Sequence, residues 1–355
     1  MYMLLFALAL SAIVTACGGA SVGTAPSTSP TVAAVASANA TPTIAPTATP
    51  RATPSPTPTP RPIGEMLTQI DQAKLDAHLQ ALTSFSSRWV THPGHAKAQA
   101  YIKGELAKLD VKVESWKNVY QGMTLDNIFA FIDPASGAVG TTGWILVSAH
   151  YDSTANRTPG WRPAVDPAPG ADDNATGTAG LLEIARILAA DRTRVHSRIV
   201  LAFFDGEELF FKGSGAYMSS LTKPYPYKAA INLDMVGFNP ITDRLDLLWY
   251  TNASAILRDR VLKANETYKI GVTPLNAQYA ADGNTIMDAA PFGIAGIPSI
   301  AICQRYGEND ATFPGNYTFH TVNDTPDKIT NKRLWLKATK LTLAAALELA
   351  DEPAQ

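Results

Sequence analysis

Two adjacent glutamates, Glu207 and Glu208, are the residues of this 355-residue chain best suited to chemistry. They follow an apolar segment, residues 199–204, whose Ile, Val, Leu and Phe side chains predict a buried strand. In open α/β sheets, ligands bind just beyond the carboxyl ends of the strands. Two neighbouring carboxylates repel each other, so we expect a cation to hold them there. One of the two can then bind metal while the other moves protons.

Other histidines and acids follow other predicted elements in the same way. Each of them has an ordinary interpretation by itself, because a polar residue often ends a strand and an aspartate often caps a helix. Their occurrence in order along one chain instead indicates a metal site assembled at one sheet edge. Carboxylates and imidazoles without a thiolate suit zinc, with manganese or cobalt as substitutes. The residues are His150 and Asp152, Asp172 and Asp173, Asp234, and His320 and Asp324.

The segments that carry these residues resemble the co-catalytic zinc aminopeptidases of metallopeptidase family twenty-eight, which also contains the glutaminyl cyclases. The similarity extends over roughly residues 90–330 and is specific in combination, although each piece is weak alone. The matching stretches are His150-Tyr-Asp152, Gly170-Ala-Asp-Asp-Asn174, Phe204-Asp-Gly-Glu-Glu208, Gly213-Ser-Gly-Ala-Tyr217, Asn232-Leu-Asp-Met-Val-Gly237, Gly296-Ile-Pro298 and His320-Thr-Val-Asn-Asp-Thr325.

The resemblance implies two zinc ions and assigns their ligands. Asp172 would bridge the two ions, and the Asp172–Asp173 peptide bond would be cis. His150 and Asp234 would complete one ion, and Glu208 and His320 the other. Glu207 would act as the general base that takes a proton from the metal-bound water.

Two further acids are expected to support the ligands. Asp152 would hold the free ring nitrogen of His150, and Asp324 would do the same for His320. The chain departs from the family at Ala289, where relatives have a histidine that follows an aspartate. Tyr279 and Tyr306 are candidates for the tyrosine that assists the oxyanion. The long segment 153–169 lies between two ligand loops and could narrow the mouth of the site.

Residues 63–355 are predicted to form a single globular α/β domain with a mixed, mainly parallel central sheet flanked by helices. The prediction rests on alternating strand and helix patterns and on a chain long enough to bury a sizeable core. Besides the segments above, the patterns predict helices over 96–109, 256–268 and 334–349 and strands over 127–132 and 297–303.

The first 62 residues have a different character. Residues 1–17 combine a short apolar run with small residues before Cys17, which is typical of a bacterial lipoprotein signal peptide. Residues 18–62 are rich in Pro, Thr and Ala and predict an extended tether, which at 3.1 Å per residue reaches on the order of 100 Å. We therefore expect anchoring through a lipidated Cys17, at the cell envelope or outside the cell. A plain secretory signal with an incidental Cys17 is the alternative.

Overall composition excludes some functions and leaves others open. The formal net charge of −2 gives no indication of nucleic-acid binding. Of the two cysteines, Cys303 lies on a predicted buried strand and is expected to be a structural thiol. The oligomeric state is not predictable from these features.

The sequence therefore predicts a secreted or lipid-anchored zinc aminopeptidase that acts on peptide substrates. A glutaminyl cyclase on the same scaffold is the first alternative, although the Gly-Ala-Asp-Asp-Asn form at residues 170–174 favours a peptidase. A carboxypeptidase or dipeptidase specificity is also open. A non-catalytic binding or receptor module is the weakest alternative, because every ligand position is filled.

Overall fold

A computed structural model describes residues 59–240, 242–273, 275–279, 287–304 and 316–352, and the predicted signal peptide and most of the predicted tether lie outside these ranges. The described strands are β1 (Lys112–Tyr120), β2 (Met123–Ile132), β3 (Trp144–His150), β4 (Ile199–Phe204), β5 (Tyr227–Asp234), β6 (Leu245–Trp249), β7 (Leu275–Tyr279) and β8 (Ser299–Cys303). The described helices are α1 (Ile63–Leu67), α2 (Gln72–Thr83), α3 (Pro93–Leu106), α4 (Gly177–Ala190), α5 (Lys212–Ser220), α6 (Ala255–Thr267), α7 (Ala290–Ile294) and α8 (Lys332–Asp351).

The strands form one mixed sheet in the order β1-β2-β4-β3-β5-β8-β6-β7. Its centre is parallel, because β3 pairs in parallel with β4 and β5, and β5 pairs in parallel with β8. Antiparallel pairs join β1 to β2, β2 to β4, and β6 to β8. The prediction of a mixed, mainly parallel sheet in a single α/β domain is confirmed. The shared direction of the central strands brings their carboxyl ends to one edge, where β3 ends at His150 and β5 at Asp234.

Helices cover both faces of the sheet, which explains the continuous apolar strands. All six residues of β4 are buried, as expected for a central strand with no solvent-facing side. One face carries the large core that includes α2, α3, α4 and α8, and Trp335 of α8 donates its indole N–H to the Thr176 carbonyl at 2.9 Å. The other face carries a smaller core around Phe129, Phe204 and Phe292.

The elements predicted from periodicity are present, with shifted boundaries. The helix predicted over 96–109 begins earlier, at Pro93, because the His92 side chain caps it by accepting a hydrogen bond from the Gly94 amide. The strand predicted over 297–303 begins two residues later, at Ser299. Other elements, among them α1, α2, β1, β6 and β7, were not predicted. Within the described ranges, no helix is long and apolar enough to cross a membrane.

Candidate metal centre

Five side chains from five different segments converge at the carboxyl edge of the parallel strands. His150 ends β3 and Asp234 ends β5, so neighbouring strands deliver both residues to the same edge. Glu208 lies in a single turn of 3₁₀-helix, Glu207–Leu209, which follows β4. Asp173 lies in the turn before α4, and His320 lies in the loop before α8.

Asp173 stands between the two histidines. Its Oδ1 atom lies 3.2 Å from His150 Nε2, and its Oδ2 atom lies 3.0 Å from His320 Nε2. Asp234 joins the first histidine, with Oδ1 3.4 Å from His150 Nε2, and Glu208 joins the second, with Oε2 3.0 Å from His320 Nε2. The cluster therefore consists of two half-sites that share one carboxylate.

The atoms of the cluster have the spacing and the unmet bonding capacity that a metal ion requires. Ligand atoms of His150, Asp173 and Asp234 lie within 4.8 Å of one another, and so do those of Asp173, Glu208 and His320. Both ring nitrogens of His150, Oε1 of Glu208 and Oδ1 of Asp234 are buried without a hydrogen-bond partner. Buried polar atoms are nearly always paired, so a cation fits here. The imidazole and carboxylate donors are those that zinc prefers.

The expectation that Asp172 bridges the two half-sites is corrected by the structure, which places Asp173 there. The Asp172 carboxylate instead accepts hydrogen bonds from the Gly237 amide at 2.9 Å, from Asn316 Nδ2 at 2.6 Å and from Gln304 Nε2. Successive side chains of this turn point in different directions, because the backbone of Asp173 and Asn174 is not helical. The cis peptide bond likewise joins Asp173 to Asn174 and not Asp172 to Asp173.

Asp152 connects the first half-site to the glutamates. Its Oδ1 atom lies 3.3 Å from His150 Nδ1. Its two carboxylate oxygens also accept hydrogen bonds from the backbone amides of Glu207 and Glu208, each at 3.2 Å. One buried carboxylate thus lies beside a histidine ring and fixes the turn that carries both glutamates.

Asp324 has a different contact from the one predicted. Its carboxylate does not face His320 but accepts hydrogen bonds from the backbone amides of Asp172 and Asp173, both at 3.1 Å. The backbone of His320 is held elsewhere, by the amide of Arg157, which donates to the His320 carbonyl at 2.9 Å. Asp324 therefore positions the bridging aspartate, and the segment 153–169 positions the histidine.

The charges of the cluster are strongly unbalanced toward the negative. Burial opposes the imidazolium form of His320, yet the Glu208 charge and hydrogen bonds with Asp173 and Glu208 raise the pKa of His320 to about 11. Burial, together with the charge of Asp173, raises the pKa of Glu208 to about 7 against the opposing histidines. Burial also raises the pKa of Glu207 well above its usual range, with the charges of Glu208 and Asp234 adding to the effect. A bound cation would relieve this repulsion.

A cavity of about 250 Å³ opens beside the cluster. Its acidic wall contains Glu207, whose Oε2 atom lies 4.0 Å from His150 Nε2. Its apolar wall contains Met235, Met287 and Phe319. Asn156 also lines this cavity. The segment 153–169, to which Asn156 belongs, therefore borders the site.

Of the three other positions singled out in the sequence, the structure describes the surroundings of Ala289 but not those of the two candidate tyrosines. Ala289 is buried and packs in a small cluster with Met287 and Cys303, and the preceding residue, Asp288, is fully buried and accepts a hydrogen bond from Ser214. Tyr279 belongs to β7, but its side chain is not described, and Tyr306 lies outside the described residues. The oxyanion tyrosine therefore stays a prediction.

Two buried residues that support the site were missed by sequence reasoning. Arg88 is fully buried and donates to the carbonyls of Tyr151, Pro169 and Gly170, so it joins the loops that carry His150 and Asp173. His95 Nε2 lies 2.8 Å from Oδ1 of Asp205, just before the glutamates. Neither residue belongs to a local motif, because its hydrogen-bond partners are distant in the chain.

Comparisons with known proteins show similarity to peptidases. The model of peptidase family M28 matches residues 127–345. The protein YfbL of Escherichia coli is 27% identical over 261 residues, which cover 67% of this chain and 76% of YfbL. Aminopeptidase YwaD of Bacillus subtilis is 28% identical over 216 residues, which cover 58% of this chain but 40% of YwaD. Leucine aminopeptidase 1 of Pyrenophora teres f. teres is 26% identical over 301 residues, covering 81% of this chain and 73% of that protein.

Solved structures show the same fold at lower identity. The Legionella pneumophila LapA aminopeptidase superposes with a TM-score of 0.66 at 20% identity, over 82% of this chain and 75% of LapA. The zinc aminopeptidase BSAP of Bacillus subtilis gives 0.63 at 18% identity, over 81% and 97%. The Porphyromonas gingivalis glutaminyl cyclase gives 0.64 at 23% identity, over 79% and 98%. These similarities establish the fold and do not separate a peptidase from a cyclase.

Proposed function

Since the chain belongs to peptidase family M28 and is a metallo-exopeptidase, we propose that it removes amino-terminal residues from peptides with the help of two zinc ions. The observation that carries the proposal is the position of Asp173, whose two carboxylate oxygens face His150 and His320 separately. A carboxylate shared by two histidine-containing half-sites would be suited to holding two ions at once.

The ligands divide between the two half-sites. His150, Asp173 and Asp234 would hold one zinc ion, and Asp173, Glu208 and His320 would hold the other. Zinc bound there would lower the pKa of a water molecule and polarise the carbonyl of the scissile bond. Asp152 lies against the ring of His150 and fixes the backbone of the glutamate turn, and Asp324 fixes the backbone of Asp173. These contacts keep the ligands in place during the reaction.

Glu207 has the position of a general base. Its carboxylate borders the cavity, and neither half-site needs it, since each has three other ligands. Its Oε2 atom would accept a proton from the attacking water and deliver it to the amine of the leaving peptide. The positive charge of a bound cation would offset burial and keep this carboxylate ionised.

The cavity supports an aminopeptidase in preference to a carboxypeptidase. Its acidic residues would attract the α-ammonium group of a peptide. Among the described residues that line it there is no lysine or arginine, the side chains best suited to holding a terminal carboxylate. Its apolar wall of Met235, Met287 and Phe319 would accept an apolar amino-terminal side chain.

We also propose that the enzyme works at the bacterial cell envelope, anchored by a lipid on Cys17. The support is the small-residue sequence before Cys17 and the Pro- and Thr-rich segment that follows it. A tether of this kind would keep the catalytic domain clear of the membrane surface.

The full chain loaded with zinc should hydrolyse leucine amide and lose this activity to a chelator. Glu207→Gln keeps the volume of the side chain and removes the proton acceptor, so kcat should fall by roughly 10²–10⁴-fold while zinc content stays at two per chain. The matched control is the neighbouring Glu208→Gln, which should lower zinc content together with activity. Metal analysis and steady-state kinetics on both variants provide the measurement.

Two results would overturn this assignment. Fully active protein with one tightly bound zinc ion that converts amino-terminal glutamine to pyroglutamate would make the chain a glutaminyl cyclase. Loss of zinc in Glu207→Gln with retention in Glu208→Gln would reverse the roles of the two glutamates.

A further inference from the structure

A second cavity adjoins the metal centre and is not used by the proposed reaction. It is an open groove of about 580 Å³ between the end of β1, helix α5 and helix α7, and we call it the Phe210 groove. Its lining includes Val119, Phe210, Phe211, Met218 and Ile294. Phe210 and Phe211 also line the 250 Å³ cavity beside the cluster, so the groove continues the site.

Phe210 and Phe211, which line both cavities, directly follow the turn that carries Glu207 and Glu208. Phe210 and Phe211 have φ values of 64° and 60°, in the left-handed region that bulky residues rarely adopt. The Phe211 amide donates to the Glu207 carbonyl at 2.9 Å, which holds this conformation. Backbone strain of this kind is found mainly where function requires it. The strain here places two aromatic side chains directly after the glutamates.

The groove has an apolar surface open to solvent. Val119 is 70% exposed, Phe210 81% and Ile294 75%. These three are half of the six large hydrophobic residues exposed within the described ranges, and all three line this one groove. Such a concentration is unlike the scattered exposure of an ordinary surface and indicates a binding site.

The size of the cavity beside the metal centre, here called the inner cavity, indicates what the groove would bind. At about 250 Å³ it is smaller than pockets that enclose drug-sized ligands, which are roughly 300–1,000 Å³. It can hold the terminal residue of a peptide, and the remainder must extend across the surface at about 3.3–3.6 Å per residue. The groove begins at Phe210 and Phe211, which also line the inner cavity. It therefore lies on the path of an extended peptide that leaves the inner cavity.

We propose that the Phe210 groove binds the part of the peptide that follows the scissile bond and favours an apolar or aromatic side chain there. This inference rests on the proposed aminopeptidase activity. It makes Val119, Phe210 and Ile294 determinants of specificity for the leaving peptide, and it implies that oligopeptides with apolar residues near the amino terminus are better substrates than short or polar ones.

The test compares three kinds of substrate of the full zinc-loaded chain. Leucine amide does not reach the groove and serves as the reference in every variant. The second substrate is the amide of Leu-Gly-Gly-Gly, and the third is a set in which phenylalanine replaces each glycine in turn. At one of these positions phenylalanine should raise kcat/KM by about tenfold relative to glycine, as expected when one large apolar side chain is partly buried.

Substitutions in the groove should remove this preference. Ile294→Ala and Val119→Ala should each lower the ratio of kcat/KM for the phenylalanine peptide to that for leucine amide, toward the value for the glycine peptide. The matched control is Ile256→Ala on α6, where an isoleucine of similar exposure, 69%, lies outside the groove. This variant should keep the wild-type ratio.

Each outcome decides a different claim. Leucine amide hydrolysis without any preference for phenylalanine would overturn the proposed role of the Phe210 groove and leave the proposed aminopeptidase activity intact. A preference that survives Ile294→Ala and Val119→Ala would also overturn it, because the peptide would then leave by another path, such as past Arg157 and Tyr317. Failure to cleave leucine amide as well as every peptide would reject the aminopeptidase activity, and the inference with it.

Discussion

Asp172 and Asp173 are neighbours in the chain with opposite environments. Asp173 faces two histidines, and its interactions with them lower its pKa below the usual range although burial would raise it. Asp172 faces a backbone amide and two side-chain amides, and burial raises its pKa to about 7 despite these hydrogen bonds. The first arrangement suits a ligand shared by two cations, and the second joins Gly237 and Asn316 behind the site.

Substitution of each aspartate by asparagine separates these roles. Asp173→Asn removes the charge shared by both half-sites, so both zinc ions should weaken and activity should fall by more than about 100-fold, beyond the usual effect of an outer-shell partner. Asp172→Asn should keep two zinc ions and most activity. It should lower the free energy of unfolding by about 1–3 kcal/mol, since an amide NH₂ would face other donors. Metal analysis and denaturant unfolding give the measurements.

The opposite result would restore the assignment made from the sequence. If Asp172→Asn loses zinc while Asp173→Asn retains it, Asp172 is the bridging ligand. The two variants control for each other, because they make the same chemical change at adjacent buried positions.

At the scale of elements, the loops that carry the ligands are joined by one buried cation. Arg88 lies between the end of β3 and the turn before α4, and its three donors each reach a backbone carbonyl. Burial lowers its pKa to about 10, with the charges of Asp324 and Asp152 opposing the shift, so it stays charged at neutral pH. The guanidinium thus joins the two ends of the segment 153–169. It also holds Gly170, two residues before Asp172.

Replacement of Arg88 by methionine should destabilise the domain and loosen the metal centre together. Three buried carbonyls would lose their donor, so the free energy of unfolding should fall by on the order of 3 kcal/mol. Zinc affinity should also fall, because the turn that carries Asp173 would lose its support. Arg162→Ala is the matched control, since Arg162 lies in the same segment but pairs with Asp166 at the surface. Equal thermal midpoints for the two variants would show that Arg88 has no such role.

The sequence predicted the parts of the site that depend on local pattern. His150, Glu208 and Asp234 lie at or just after the ends of apolar strands, and parallel strands bring their ends to the same edge, so the sequence alone groups these residues. The choice between Asp172 and Asp173 could not be made in this way. The orientation of the two aspartates depends on Asp324, which accepts hydrogen bonds from the backbone amides of Asp172 and Asp173. Asp324 is 152 residues away from Asp172 in the chain, so no local pattern reveals this contact.

At the scale of the whole molecule, the point where the predicted tether joins the domain is far from the metal centre. Arg61 is held by Asp191 at 3.2 Å and by Arg194, whose Nε donates to the Arg61 carbonyl at 2.9 Å. These partners follow the end of α4, whereas Asp173 precedes its beginning. The 14 residues of α4 span about 21 Å. Arg61, in the part of the predicted tether that the structure describes, therefore lies near the end of α4 that is opposite to Asp173.

The anchoring proposal is tested with the full chain expressed in a bacterium. The wild-type protein should be found in the membrane fraction, because two acyl chains on a lipidated cysteine anchor stably where one alone is marginal. Cys17→Ser removes the acceptor and should move the protein to the soluble fraction while leucine amide hydrolysis persists. Cys303→Ser is the matched control, since this thiol is buried in β8 and the variant should remain with the membrane. Mass spectrometry that finds an unmodified mature amino terminus other than Cys17 would reject the lipid anchor and leave a plain secretory signal.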